Sequence, residues 1–202
     1  MLMNGTATLY LDKLAALIQN INRKEIDAAI NLIYEAWQQS QQIIIFGNGG
    51  SALTAQHYVT DWNKSIYMAT NKPFLGRCLA DNMGLITAYS NDVSYSDVFI
   101  EQLKPILKPK DLIIGISGSG NSENVLRAIQ YANENDGITL GICCYNGGKL
   151  KALAQHALHA DANDMQLSED IHFIFGHIVM QKFCGYLTTN PSACRKEIEE
   201  IV

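Results

Sequence analysis

The chain has 202 residues, 48% of them hydrophobic and 17% charged, with 15 basic and 20 acidic side chains and a formal net charge of -5. An apolar-rich, sparsely charged chain of this length can bury most of its unfolded surface, which excludes a disordered polypeptide and predicts one domain over residues 1–202. The acidic balance, with no Lys/Arg run, excludes a nucleic-acid backbone or an anionic membrane surface as the main partner, and no stretch approaches the roughly 20 apolar residues needed to span a bilayer.

The N-terminal MLMNGTATLYLDK lacks a basic segment followed by a long apolar one, so the expectation is a soluble, cytoplasmic protein. From residue 6 to residue 40 apolar side chains recur at helical spacing. Leu14, Leu17, Ile18 and Ile21 form one stripe, and Ile26, Ile30, Ile33 and Trp37 a second, with Asn22-Arg23 between them. This predicts an N-terminal helical hairpin. The pattern then changes to short apolar runs of strand length at 43–46, 112–115 and 138–144, with weaker candidates at 77–80 and 157–160. Each strong run is followed by Gly, Ser or Asn and then by a helix-like stretch. Continuous apolar strands imply burial on both faces, so residues 41–188 are predicted to form an α/β core: a doubly wound, five-stranded parallel sheet with right-handed crossovers. A long helix over about 166 to 188 closes it, and 189–202 form a C-terminal tail. The five cysteines, Cys78, Cys143, Cys144, Cys184 and Cys194, are odd in number and lack CxxC spacing. They read as reduced core thiols, and adjacent Cys143 and Cys144 in a strand would face opposite ways.

Two loops carry the chemistry. The first is Gly47-Asn48-Gly49-Gly50-Ser51, between the strand at 43–46 and a helix beginning near Ala52; the second is Ser117-Gly118-Ser119-Gly120-Asn121-Ser122, also between strand and helix. Loops at the carboxyl ends of parallel strands line the ligand crevice, and a helix N-terminus there offers free N–H groups to an anion. Glycine lets the backbone come close, and serine adds hydroxyl donors. Ordinary turns with Ser51 or Ser122 as helix caps would look similar. The G-x-G-x-x-A match at Gly47–Ala52 also suggests a dinucleotide, but residues 65 to 76 contain no acid for the ribose hydroxyls. Neither loop carries the lysine of a GxxxxGK[ST] sequence. A phosphate monoester fits best.

On the helix after the first loop, His57 and Asp61 are about 40° apart around the axis and share a face. On the last helix Glu169 and His177 lie within about 80° of each other, while His172 is about 140° from His177. Two histidines and two carboxylates suit a borderline cation such as Zn²⁺, and equally an acid–base pair or two unrelated polar faces. Spacing does not choose among these. His156 and His159 read as surface residues.

The strings GNGGSALTAQHYVTDW, NDVSYSDVF, GISGSGNSENVLRAI and SEDIHFIFGHIV resemble the SIS (sugar isomerase) domain family across residues 6 to 188. Within it they are most similar to the phosphoheptose isomerases, which interconvert sedoheptulose 7-phosphate and D-glycero-D-manno-heptose 7-phosphate. The resemblance implies a flavodoxin-like sheet and a sugar phosphate held by Asn48, Gly49, Gly50, Ser51, Ser117, Gly118, Ser119 and Ser122, with Asp92 near the substrate hydroxyls. It implies one Zn²⁺ per subunit on His57, Asp61, Glu169 and His177, with Glu169 also facing substrate, and with Asp61 and His177 catalytic. It further implies a homotetramer built on the N-terminal helices, with sites at subunit boundaries. The chain departs from the family in four places. Asp61 stands where the family has a glutamate, Glu169 a glutamine, Ser65 (beside Lys64) an arginine, and Gln166 an aspartate. The expectation is metal-assisted aldose–ketose isomerisation of a phosphosugar. The alternative is a non-catalytic SIS protein that binds a protein partner, as the replication initiator-associating type does, or senses a phosphosugar.

Overall fold

A computed structural model describes residues 5–187; the expected tail at 189–202 and Cys194 lie outside the described residues. The chain opens with α1 (Thr6–Asn20) and α2 (Arg23–Gln38), the second capped by the Asn22 side chain, which accepts from the Lys24 N–H. There follow β1 (Ile43–Gly47), α3 (Gly50–Asp61), a π-helical turn Trp62–Ile66, α4 (Tyr67–Thr70), β2 (Gly76–Cys78) and α5 (Met83–Asp92). A 3-10 turn Tyr95–Asp97 leads into α6 (Val98–Leu103), and the rest alternates: β3 (Leu112–Ser117), α7 (Glu123–Glu134), β4 (Ile138–Cys143), α8 (Gly148–Leu153), β5 (His156–His159) and α9 (Met165–Phe183).

The strands pair in parallel in the order β2-β1-β3-β4-β5, the doubly wound sheet that the apolar runs predict. Burial explains the composition. Every residue of β1 and β3 is buried, because helices cover both faces. Ile43, Ile45, Leu112 and Ile114 point toward Ile33 of α2, Tyr58 of α3 and Phe175 and Val179 of α9, whereas Ile44, Phe46 and Ile113 point toward Leu103, Val125, Ile129 and Leu150. The two-residue alternation of a strand divides one apolar run between two cores. Two weaker strands start one residue before their expected positions, because an edge strand takes its register from a single neighbour; here Ile43 pairs with Gly76 and Leu140 with His156. At the β5 edge the Glu25 carboxylate accepts the His159 N–H at 3.1 Å, so α2 occupies an otherwise open edge donor.

Both N-terminal helices form. The first leans on α9, where the Tyr10 hydroxyl donates to Asp170 at 2.7 Å, and it buries none of its own residues; Leu9 and Leu11 are 59% and 60% exposed. Helix α5, which also buries nothing, shows no helical stripe in the sequence. Among the described residues no helix is long and apolar enough to cross a membrane.

The described cysteines are free and buried, in line with core thiols. Cys144 Sγ lies 3.2 Å from His172 Nε2 in the interior. Burial pushes the His172 imidazole down to about 4 and the Cys144 thiol up to about 11, so the pair is neutral near pH 7. An unfolded histidine titrates near 6.5, so the unfolded chain takes up its proton first as pH falls. Stability present above pH 6.5 is therefore lost on descending toward pH 4, by about 3 kcal/mol in total. Urea unfolding at a series of pH values should show this slope in the wild type and a flatter one in His172→Gln; equal slopes would exclude His172 as its source.

Candidate functional site

Chain order reverses between β1 and β3, so the loops leaving these neighbouring strands diverge and open a crevice at their carboxyl ends. The two glycine–serine loops are those loops. Gly47 pairs with Ile116, and a Cβ on it would stand 2.7 Å from the Ile116 carbonyl oxygen, so no larger residue fits. Gly49 has φ 54, the left-handed conformation that turns the chain into α3. The N-termini of α3 and α7 both open on the crevice.

The resulting cavity of about 180 Å³ is lined by the side chains of Asn48, Ser51, Ser117, Ser119, Ser122 and Glu169, together with Ile116, Gly118 and Met165. Ser51 and Ser117 are buried, and the Ser117 hydroxyl donates to Ser122 Oγ at 3.1 Å. Gly49, Gly50 and Ser119 are exposed. No lysine or arginine is among the lining residues, so an anion there meets hydroxyls and helix amides rather than a cation. The structure thus brings Asn48, Ser51, Ser117, Gly118, Ser119 and Ser122 together around one cavity, whereas Gly49 and Gly50 do not line it. Asp92 is not brought there: it ends α5, exposed, with its carboxylate accepting from the Asn91 amide at 2.8 Å, and it does not line the cavity. Gln166 and Lys64 are also exposed, and Gln166 lies in the first turn of α9, where Asp164 Oδ1 accepts its N–H.

The second half of the site lies between α3 and α9, which run parallel: Gly50 meets Glu169 at their heads, and His57 meets His177 further along. Two buried side chains fix the pair. The Tyr58 hydroxyl donates to the His172 carbonyl, and Trp62 Nε1 donates to the Gly176 carbonyl at 3.0 Å. Trp62 begins the π-helical turn directly after Asp61. Gly176 is required because a Cβ on it would collide with the Tyr58 ring.

Along this seam His57 Nε2 lies 3.0 Å from His177 Nε2 and 3.3 Å from Asp61 Oδ2, and donor atoms of all three residues lie within 4.8 Å of one another. Ligands bonded to a tetrahedral Zn²⁺ at about 2.0–2.2 Å are roughly 3.3 Å apart, so two nitrogens and a carboxylate at this spacing fit a three-ligand catalytic site. The shorter Asp61 reaches the cluster. Glu169 stands outside it: its carboxylate lies against Gly50 and lines the anion cavity, because eight residues of helix put about 12 Å of rise between it and His177. Angular position on the helix, taken alone, hid that separation. His172 faces away into the core, as its angle predicts. The sequence reading missed Phe173, whose ring lies 5.1 Å from that of His57, four residues before His177 on the same face, and it missed Asn124 and Tyr95, which hold Asn48.

Comparison with known proteins bears on the family and the fold. The SIS domain family model matches residues 9–144. A probable phosphoheptose isomerase of Thermoplasma acidophilum is 35% identical over 86% of this chain and 94% of its own length. A phosphoheptose isomerase of Helicobacter pylori is 34% identical over 75% of this chain and 78% of its own. Among solved structures, the phosphoheptose isomerase GmhA of Neisseria gonorrhoeae superposes with a TM-score of 0.82 at 22% identity, covering 90% of this chain and 98% of its own, and so shares the fold.

The close contact of α3 and α9 is testable. Gly176→Ala forces the helices apart at an overpacking cost of about 1–3 kcal/mol, which lowers the melting temperature by roughly 2–10 °C. Zinc affinity in calorimetric titration should fall with it. An unchanged melting temperature would contradict the contact.

Proposed function

Since the chain belongs to the SIS domain family, we propose that it is a phosphosugar isomerase of the aldose–ketose type, converting sedoheptulose 7-phosphate to D-glycero-D-manno-heptose 7-phosphate. One observation carries this reading: an anion cradle with no cationic side chain and a His57, Asp61, His177 cluster lie along the same two parallel helices, about two turns apart. An open-chain sugar phosphate can bridge that distance, with its phosphate in the cradle and its carbonyl end at the cluster. The naming of the curated relatives as phosphoheptose isomerases supports the choice of sugar.

The residues divide the work. Backbone amides of α3 and α7 and the hydroxyls of Ser51, Ser117, Ser119 and Ser122 anchor the phosphate, turning remote binding energy into placement of the reacting carbons. Asp61 and His177 move a proton between the carbonyl carbon and its neighbour, and the hydroxyl and carbonyl exchange places with no net oxidation. A Zn²⁺ held by His57, Asp61 and His177, one per subunit, would supply Lewis-acid polarisation of the carbonyl. Glu169, half-buried over the cradle, accepts hydrogen bonds from substrate hydroxyls. Phe173 packs its ring against the His57 ring and so supports its orientation. The exposed apolar residues of α1 support the proposed homotetramer, in which that helix is covered by another subunit. A cytoplasmic location belongs to the same proposal.

Incubation with sedoheptulose 7-phosphate in D₂O should place deuterium at C2 of an aldose product, as followed by NMR. Exchange with a different ketose phosphate alone would keep the reaction and change the substrate. Asp61→Asn and His177→Ala should each lower turnover by about 10²–10⁴-fold while remaining folded. Near-wild-type rates would overturn the roles given to them. A purified protein that binds no metal and captures a protein partner would instead support the non-catalytic alternative.

A further inference from the structure

We propose that Asn124 is a positioning residue that clasps the two anion-binding loops together, an inference that rests on the cavity between them being a phosphate site. Asn124 is 2% exposed in the first turn of α7, two residues beyond Ser122, and Asn48 directly follows Gly47. Their side-chain amides face each other and exchange two hydrogen bonds. Asn48 Nδ2 donates to Asn124 Oδ1 at 2.8 Å, and Asn124 Nδ2 donates to Asn48 Oδ1 at 2.9 Å.

The orientation of this pair is forced. The Val125 N–H can only donate, and it lies 2.9 Å from the Asn124 atom nearest it, so that atom is the oxygen and the other is the amide nitrogen. That nitrogen in turn needs an oxygen opposite, which sets Asn48. The Asn48 oxygen also accepts the Tyr95 hydroxyl at 2.8 Å, so each oxygen carries two donors and has no further lone pair to offer. Only an amide at position 124 meets all these demands. Aspartate would set oxygen against oxygen, and alanine would leave the Asn48 amide nitrogen without its acceptor. Because β1 and β3 are neighbours, this link between the loops that follow them sets the distance from Ser51 to Ser117, Ser119 and Ser122. Asn48 itself has at most one amide hydrogen left for a substrate. Tyr95 sits on a turn that a second bond, Arg127 to Asp97 at 2.8 Å, ties to α7.

The test is orthophosphate binding by calorimetry, beside kinetics with the sugar phosphate. In Asn124→Asp and Asn124→Ala, orthophosphate affinity should fall about 10-fold or more and KM should rise in step, the size of one or two lost buried hydrogen bonds. Turnover number should change less than KM, since the clasp sets the phosphate end of the site and leaves the His57, Asp61 and His177 cluster in place. Zinc affinity should hold, and Asn48→Ala combined with Asn124→Ala should be no worse than the weaker single variant to within about 2-fold, as for two halves of one contact. Tyr95→Phe removes one exposed hydroxyl and should weaken orthophosphate binding about 3-fold, which decides the matter should the Asn124 variants fail to fold. Wild-type protein that ignores orthophosphate would overturn the phosphate reading itself. Wild-type binding left intact by the variants, or additive losses accompanied by weakened zinc binding, would overturn the clasp alone.

Discussion

The reversal of strand order between β1 and β3 is the constraint on which the rest of the molecule depends. At this reversal the two adjacent parallel strands send their following helices to opposite faces of the sheet, so neither helix covers the space just beyond their carboxyl ends. That space is polar because its walls are loop backbone and helix N-termini whose N–H groups have no helical partner. A small negative group is what such a place binds most readily, and the serine and asparagine side chains refine the fit without adding charge. The net charge of -5 is therefore no obstacle to an anionic ligand: recognition here draws on dipoles and hydroxyls, which do not enter the charge count.

The same geometry places the second half of the site. Helix α3 starts in the crevice, and α9 starts beside it, so the two run parallel away from the anion cradle and bring His57, Asp61 and His177 together about two turns along. Their contact is unusually close because Gly176 offers no side chain and the Tyr58 and Trp62 side chains bond directly to the α9 main chain. Those bonds satisfy buried polar atoms inside an apolar layer and resist sliding of one helix along the other. A cluster whose donor atoms must stay within a few tenths of an ångström needs that rigidity.

The placement of Glu169 gives the cradle its individual character. A half-buried carboxylate over a ring of hydroxyls makes the cavity more acidic than helix amides and serines alone would, and favours a ligand that brings hydroxyl donors as well as a phosphate. The clasp between Asn48 and Asn124 holds the opposite wall of the same cavity, so the loop carrying Ser51 cannot drift from the loop carrying the other serines.

Much of this was legible in the chain itself. Strand positions followed from apolar runs buried on two faces, the helix α2 from its apolar spacing, and the two loops from glycine and serine placed between strand and helix. These features are local, fixed by period and by backbone freedom. Strand register at the sheet edges, the π-helical turn after Asp61 and helix α5 were not legible, since each depends on a neighbour or leaves no stripe. The cluster of His57, Asp61 and His177 lay between the two kinds. Its angular placement could be computed from helical period, but its membership required axial rise as well, and that put Glu169 with the glycine–serine loops instead. The Asn48–Asn124 pair, 76 residues apart in sequence, could not be read from the chain at all. Local sequence determined which groups are available and which way each element faces; only the packing of β1 on β3 and of α3 on α9 decided which of them meet, because a distance across two elements is set by the side chains between them and not by either element alone.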